Sequence, residues 1–158
     1  MNESGAATIG SVSALTHSQP RPRGASLDVL LMVALGGMLG AAARYGMSEL
    51  ISVDRGTWPW DTFLENVLGA FSLGVALTEL VRRFPASRYL RPFLAVGFLG
   101  SFTTFSALVV QADHLIRDGQ VPLAVGYWAG SIATGLLGAW GGIACTRLLL
   151  RTAEEPRR

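Results

Sequence analysis

Four apolar stretches, about Leu27 to Tyr45, Trp60 to Val81, Pro92 to Val110 and Val121 to Leu150, decide what this chain can become. Crossing a bilayer's hydrocarbon core takes roughly 20 apolar residues in helical form. A helix suits that medium because it satisfies every backbone N–H and C=O within its own segment. Four such stretches in 158 residues leave only short connections between them. With 50% hydrophobic residues, 15% charged and a positive mean hydropathy, the composition agrees. The fold class expected is an all-α membrane protein with four transmembrane helices. Residues 27–150 form one helical unit, residues 1–26 a Ser/Ala/Gly/Pro-rich disordered tail, and residues 151–158 a short cytoplasmic tail. No repeat of 20 to 50 residues divides the chain.

The remaining composition excludes several classes. Cys145 is the only cysteine, so there is no disulfide framework or Cys metal cluster, and it reads as a lipid-facing or packing sulfur. His17 and His114 lie far apart and outside any ligand-spaced cluster. All 13 basic residues are arginines, spread over loops and tails, and they form no basic stripe that would suit nucleic acid.

Polar groups inside the apolar stretches carry the functional information, since each must find a protein partner or line something wet. The first stretch has Gly36, Gly37, Gly40 and Ala41 to Ala43, a small-residue face that admits a close neighbour. Arg44, near its end, either snorkels to the interface or reaches a water-filled vestibule. Trp58 and Trp60 read as interfacial residues anchoring the second stretch. Asn66 is either a cross-helix hydrogen bonder or an anion donor at a pore mouth. Tyr127 and Ser131, four apart, share one face of the last helix.

The third stretch contains GFLGSFTTFSALVV, with Gly97, Gly100, Ser101, Thr103, Thr104 and Ser106 in ten residues. Glycines lower helix propensity, and hydroxyls compete for backbone partners. A break in the helix is expected here, with freed carbonyls suited to a cation, although a Ser/Thr packing seam fits the same spacing. Phe102 and Phe105 flank the threonines, and an aromatic ring edge offers weak attraction to a small anion.

GFLGSFTTFS resembles the third-helix signature of the Fluc (CrcB) fluoride channels, GF-x-GG-[FL]-TTFSTF. GGMLGAAARY, GTWPWDTFLENVLGAF and YWAGS resemble that family's other helices in the same order, so the likeness runs over about residues 30 to 147. The resemblance implies a fluoride-specific channel subunit of the bacterial inner membrane that lets fluoride leave passively and limits its toxicity. The resemblance implies no enzymatic activity. It further implies an antiparallel dimer embedded in membrane lipid, with two fluoride pores and a central, structural Na+ that is not transported. Backbone carbonyls of Gly100 and Thr103 would hold the sodium. Asn66, Phe105, Ser106, Tyr127 and Ser131 would line the fluoride path, and Arg44 is a candidate for its vestibule. At the family's second pore phenylalanine this chain has Leu108, and Phe102, on the other side of the threonines, does not take that place.

Arginine placement bears on the partner. Arg21, Arg23, Arg82, Arg83, Arg88, Arg91, Arg147, Arg151, Arg157 and Arg158 fall on the side of the tails and middle loop, against Arg44, Arg55 and Arg117 on the other. By the positive-inside rule both termini are cytoplasmic and insertion is mostly one-way. An antiparallel pair would then need a second, oppositely inserted homologue, unless the chain inserts both ways and forms a homodimer. Two other functions compete on the residues: a small proton-coupled drug exporter, which needs an acid near the bilayer midplane, whereas Glu65 and Glu79 lie near the ends of the second stretch and the first has no interior acid, and a non-conducting assembly subunit.

Overall fold

The computed structural model describes residues 26–85 and 87–154. The expected N-terminal tail, apart from Ser26, and the end of the C-terminal tail lie outside them, as does His17. Among the described residues, four helical segments are long and apolar enough to cross a membrane: Leu27–Leu50, Trp60–Arg83, Pro92–Arg117 and Val121–Thr152. Each contains a stretch read from the sequence and runs on into polar residues.

Helix α1 (Leu27–Leu50) and α2 (Trp60–Arg83) are regular. Helix α2 stops one residue before Phe84-Pro85, because proline cannot continue the ladder. The third segment is irregular. It begins as a π-helix, Pro92–Leu99, tightens into the single turn α3 (Gly100–Phe102), and passes through two residues of extended backbone, Thr103 (φ −80°, ψ 152°) and Thr104 (φ −148°, ψ 119°). It then resumes as α4 (Phe105–Arg117). Gly119, at φ +77°, turns the chain into α5 (Val121–Glu154), a conformation only glycine adopts without strain.

Backbone-to-backbone packing sets the arrangement. Helix α1 lies on the π-helix with no room for side chains between them. A Cβ added at Gly36 would sit 2.1 Å from the Phe93 carbonyl oxygen, and one at Gly40 would sit 2.1 Å from that of Phe98. Helix α2 lies on α5 in the same manner, with Gly74 against Ala139 and Gly142 against Phe71. In lipid, helix association depends on such close contact, because the solvent is as apolar as the side chains. The outward faces fit that solvent: Leu31, Leu35, Met38 and Leu39 on α1 and Leu136, Leu137 and Trp140 on α5 are exposed, as is Cys145.

The two ends of the bundle are tied differently. At one end, the Asp28 carboxylate at the start of α1 accepts from the Tyr89 hydroxyl at 2.7 Å and from Arg88 Nη2 at 3.1 Å, and Arg88 also donates to Ser26. The bond to Asp28 holds the Tyr89 phenol above its ordinary value. At the other end, the 51–57 connection and the end of α4 enclose a polar cavity of about 530 Å³ that includes Arg55, His114 and Arg117.

Candidate functional site

Asn66 fastens the extended residues of the third segment. Its Nδ2 donates to the Thr104 carbonyl at 3.0 Å, and its Oδ1 accepts from the Thr104 N–H at 2.8 Å. Of the two roles open to Asn66 in the sequence, cross-helix bonding is therefore present, and the second amide hydrogen is left over for another acceptor. The approach is close enough that a Cβ at Gly69, one turn further along α2, would lie 2.2 Å from Thr103 Cγ2.

This clip redirects the local hydrogen bonds. In a continuous α-helix the Thr104 N–H would serve the Gly100 carbonyl, and the Ala107 N–H that of Thr103. Here the first goes to Asn66 Oδ1 at 2.8 Å and the second to Thr104 Oγ1 at 3.1 Å, where Thr104 caps α4. Gly100 and Thr103 thus keep carbonyl oxygens whose usual helical donors are engaged elsewhere. Gly100 is also exposed, and a Cβ there would meet only the Ala95 oxygen at 3.7 Å.

Beyond the clip, Phe105 begins α4 with 69% of its surface exposed. Ser106 is exposed as well, its Oγ 3.2 Å from Thr104 Oγ1. Asn66, Thr104 and Ser106 are thereby brought together beside the Phe105 ring. Phe102 is placed otherwise, stacked nearly parallel on Phe98 at 6.2 Å, with its ring edge facing Gly69.

Tyr127 and Ser131 are both buried on one face of α5, Tyr127 completely. Neither the Tyr127 hydroxyl nor Ser131 Oγ makes a hydrogen bond of good geometry, although Thr62 and Ser131 flank the phenol. The Tyr127 ring packs edge-on against Trp58 at 5.4 Å, and Trp58 in turn meets Phe63. Trp60 is exposed as an interfacial residue should be, whereas Trp58 turns inward onto this cluster. Leu108 belongs to the same cluster. It is 5% exposed and packed with Leu115, Ala124 and Tyr127. The residue in place of a second phenylalanine therefore fills core beneath aromatic rings.

Arg44 reaches a second cavity, about 280 Å³, lined also by Ser48, Asp61, Glu65 and Gln111. Its Nε, Asp61 Oδ1 and Glu65 Oε1 are buried without a hydrogen-bond partner. Glu65 and Asp61 were not among the residues expected here. The signal that could have found them is an acid a turn and a half into an apolar helix, four positions from another. Among the described residues no group of three or more His, Cys, Asp or Glu side chains could hold a metal ion.

Comparison with known proteins bears on this geometry. The family model described as CrcB-like protein, Camphor Resistance (CrcB), matches residues 31–143. A protein of Streptomyces avermitilis named fluoride-specific ion channel FluC 3 is 46% identical over 122 residues, covering 77% of this chain and 60% of its own length. One of Mycobacterium tuberculosis, fluoride-specific ion channel FluC 1, is 45% identical over 68% of this chain and 82% of its own. One of Hahella chejuensis, fluoride-specific ion channel FluC, is 39% identical over 79% of this chain and 99% of its own.

Proposed function

Since the chain belongs to the CrcB family, we propose that it is a subunit of a fluoride-specific channel that releases fluoride passively across the bacterial inner membrane and so limits its toxicity. The single observation that carries the reading is the Asn66–Thr104 clip, which leaves one amide hydrogen of Asn66 in reserve beside the exposed Phe105 and Ser106. A small anion stripped of water needs partial replacements for it. An amide N–H, hydroxyls and an aromatic edge provide these without a fixed positive charge to trap the ion. Tyr127 and Ser131 extend the same chemistry along α5, each with a buried hydroxyl that makes no hydrogen bond of good geometry within the protein.

The Gly100 and Thr103 carbonyls suit a hard monovalent cation, which prefers oxygen ligands. In an antiparallel dimer two subunits would offer four such oxygens to one Na+. Its charge would balance their dipoles, as a structural ion that does not move with the anion. Exposure of Gly100 fits a position against a second subunit. Among the described arginines, Arg82, Arg83, Arg88, Arg91, Arg147 and Arg151 belong to the end tied by Asp28, and Arg44, Arg55 and Arg117 to the end that holds the 530 and 280 Å³ cavities. That asymmetry supports cytoplasmic termini and a second, oppositely inserted homologue as partner. The rival with a specific observation behind it is a proton-coupled exporter, because Glu65 is a buried acid in α2. It requires a proton gradient, which a passive fluoride channel does not.

Purified protein reconstituted in liposomes tests the reading through fluoride efflux, measured alone and with a paralogue, in sodium and in sodium-free medium. Within that assay Phe105→Ile is expected to lower flux about fivefold, consistent with the ~1 kcal/mol scale of aromatic interactions. Phe102→Ile should leave flux nearly unchanged and lower thermal stability, since it unstacks Phe98. The opposite ranking would displace the path from Phe105.

A further inference from the structure

Glu65 is 2% exposed, yet its Oε1 meets no hydrogen-bond donor. It lines the 280 Å³ cavity beside Asp61, one turn earlier on the same face of α2, whose buried Oδ1 also lacks a partner. The groups facing Glu65 are Arg44 and Tyr45 from α1, Asp61 from its own helix and Tyr127 from α5, while α4 offers only the uncharged Ala107 and Gln111. Among the described residues, Arg44 forms no ion pair with either acid, and its own Nε is unpartnered. Two ionised carboxylates against one arginine would leave net negative charge in this cavity, at the residue that directly precedes Asn66 in α2, and would repel an anion approaching Asn66. A buried carboxylate lacking donors is also costly in itself.

One proton resolves both difficulties, and the geometry points to Glu65 as a neutral carboxyl of the anion path, its O–H donating a hydrogen bond to the ion between Arg44 and Asn66. The proton stays on Glu65 and no covalent bond changes. The Arg44 guanidinium then faces a single negative charge, that of Asp61. This inference deepens the fluoride-channel reading and rests on it.

Infrared spectra of the full chain in lipid, wild type minus Glu65→Gln, test the protonation directly, with fluoride efflux as the second arm. A protonated-carboxyl stretch present at neutral pH in the wild type and lost in Glu65→Gln is expected. Glu65→Gln, which keeps a donor, should hold flux within about threefold of wild type, and Glu65→Leu, similar in bulk without one, should lose about tenfold or more. Absence of the band in a conducting wild type overturns the inference, as does equal flux in the Gln and Leu variants. A band without any fluoride flux in the wild type overturns the channel reading and the donor role with it. The spectrum requires only the Gln variant, so it decides even where the Leu variant does not assemble.

Discussion

Fluoride flux through an Asn66→Asp variant is expected to fall at least about a hundredfold. Two effects act together. The aspartate places a carboxylate oxygen where Nδ2 now donates to the Thr104 carbonyl at 3.0 Å, so two acceptors face each other and half the clip is lost. Removing one partner of a part-buried hydrogen bond costs about 1–3 kcal/mol. The new negative charge also repels an anion about 4 Å away by about 4 kcal/mol at an effective dielectric constant near 20. Each 1.4 kcal/mol is about a tenfold change, so the repulsion alone exceeds a hundredfold. Efflux from proteoliposomes, with gel filtration to verify assembly, measures it. Flux equal to wild type in a well-assembled variant would remove Asn66 from the path.

The second large effect lies in the seam between α1 and the π-helix. Gly40→Val is expected to cost about 3 kcal/mol or more, the upper range for overpacking, and to abolish the folded subunit. Its Cβ would lie 2.1 Å from the Phe98 carbonyl oxygen and 2.9 Å from its carbon, both backbone atoms that move only if the helices part. Gly46→Val, six residues along α1, meets nothing within 4 Å and serves as the control. Thermal unfolding in detergent compares the two, and equal stability would show that the seam is not held by close approach at Gly40.

Much of this was legible in the sequence for a physical reason: hydrocarbon tolerates few alternatives, so apolar length alone gives four helices. Their ends were less legible. Helix α1 runs to Leu50 rather than Tyr45, and the third segment to Arg117 rather than Val110, because a helix leaving the apolar layer has no reason to stop until a residue such as Gly119 turns it. For Asn66 the residue type announced a polar demand, and only the fold reveals that the partner is both backbone groups of Thr104. Trp58 and Leu108 show the limit. An aromatic beside a helix start reads as an interfacial anchor, and a leucine in a pore motif reads as a gap in a wall. Three-dimensional packing instead sets Trp58 edge-on against Tyr127 and buries Leu108 below them. Glu65 reads from the sequence as an acid near the end of the second span, and its burial arises from α1, α4 and α5 closing around α2, which no local pattern encodes.

In the proposed channel the Asn66 clip and the buried hydroxyls of Tyr127 and Ser131 would stand in for water around one small anion. Fluoride and chloride efflux from the same proteoliposomes, without a proton gradient, tests that most directly. Rapid fluoride release and negligible chloride release are expected, from this chain alone if it inserts both ways or with an oppositely inserted paralogue if it does not. Equal passage of chloride, or no fluoride release from well-assembled protein in either preparation, would contradict the channel reading.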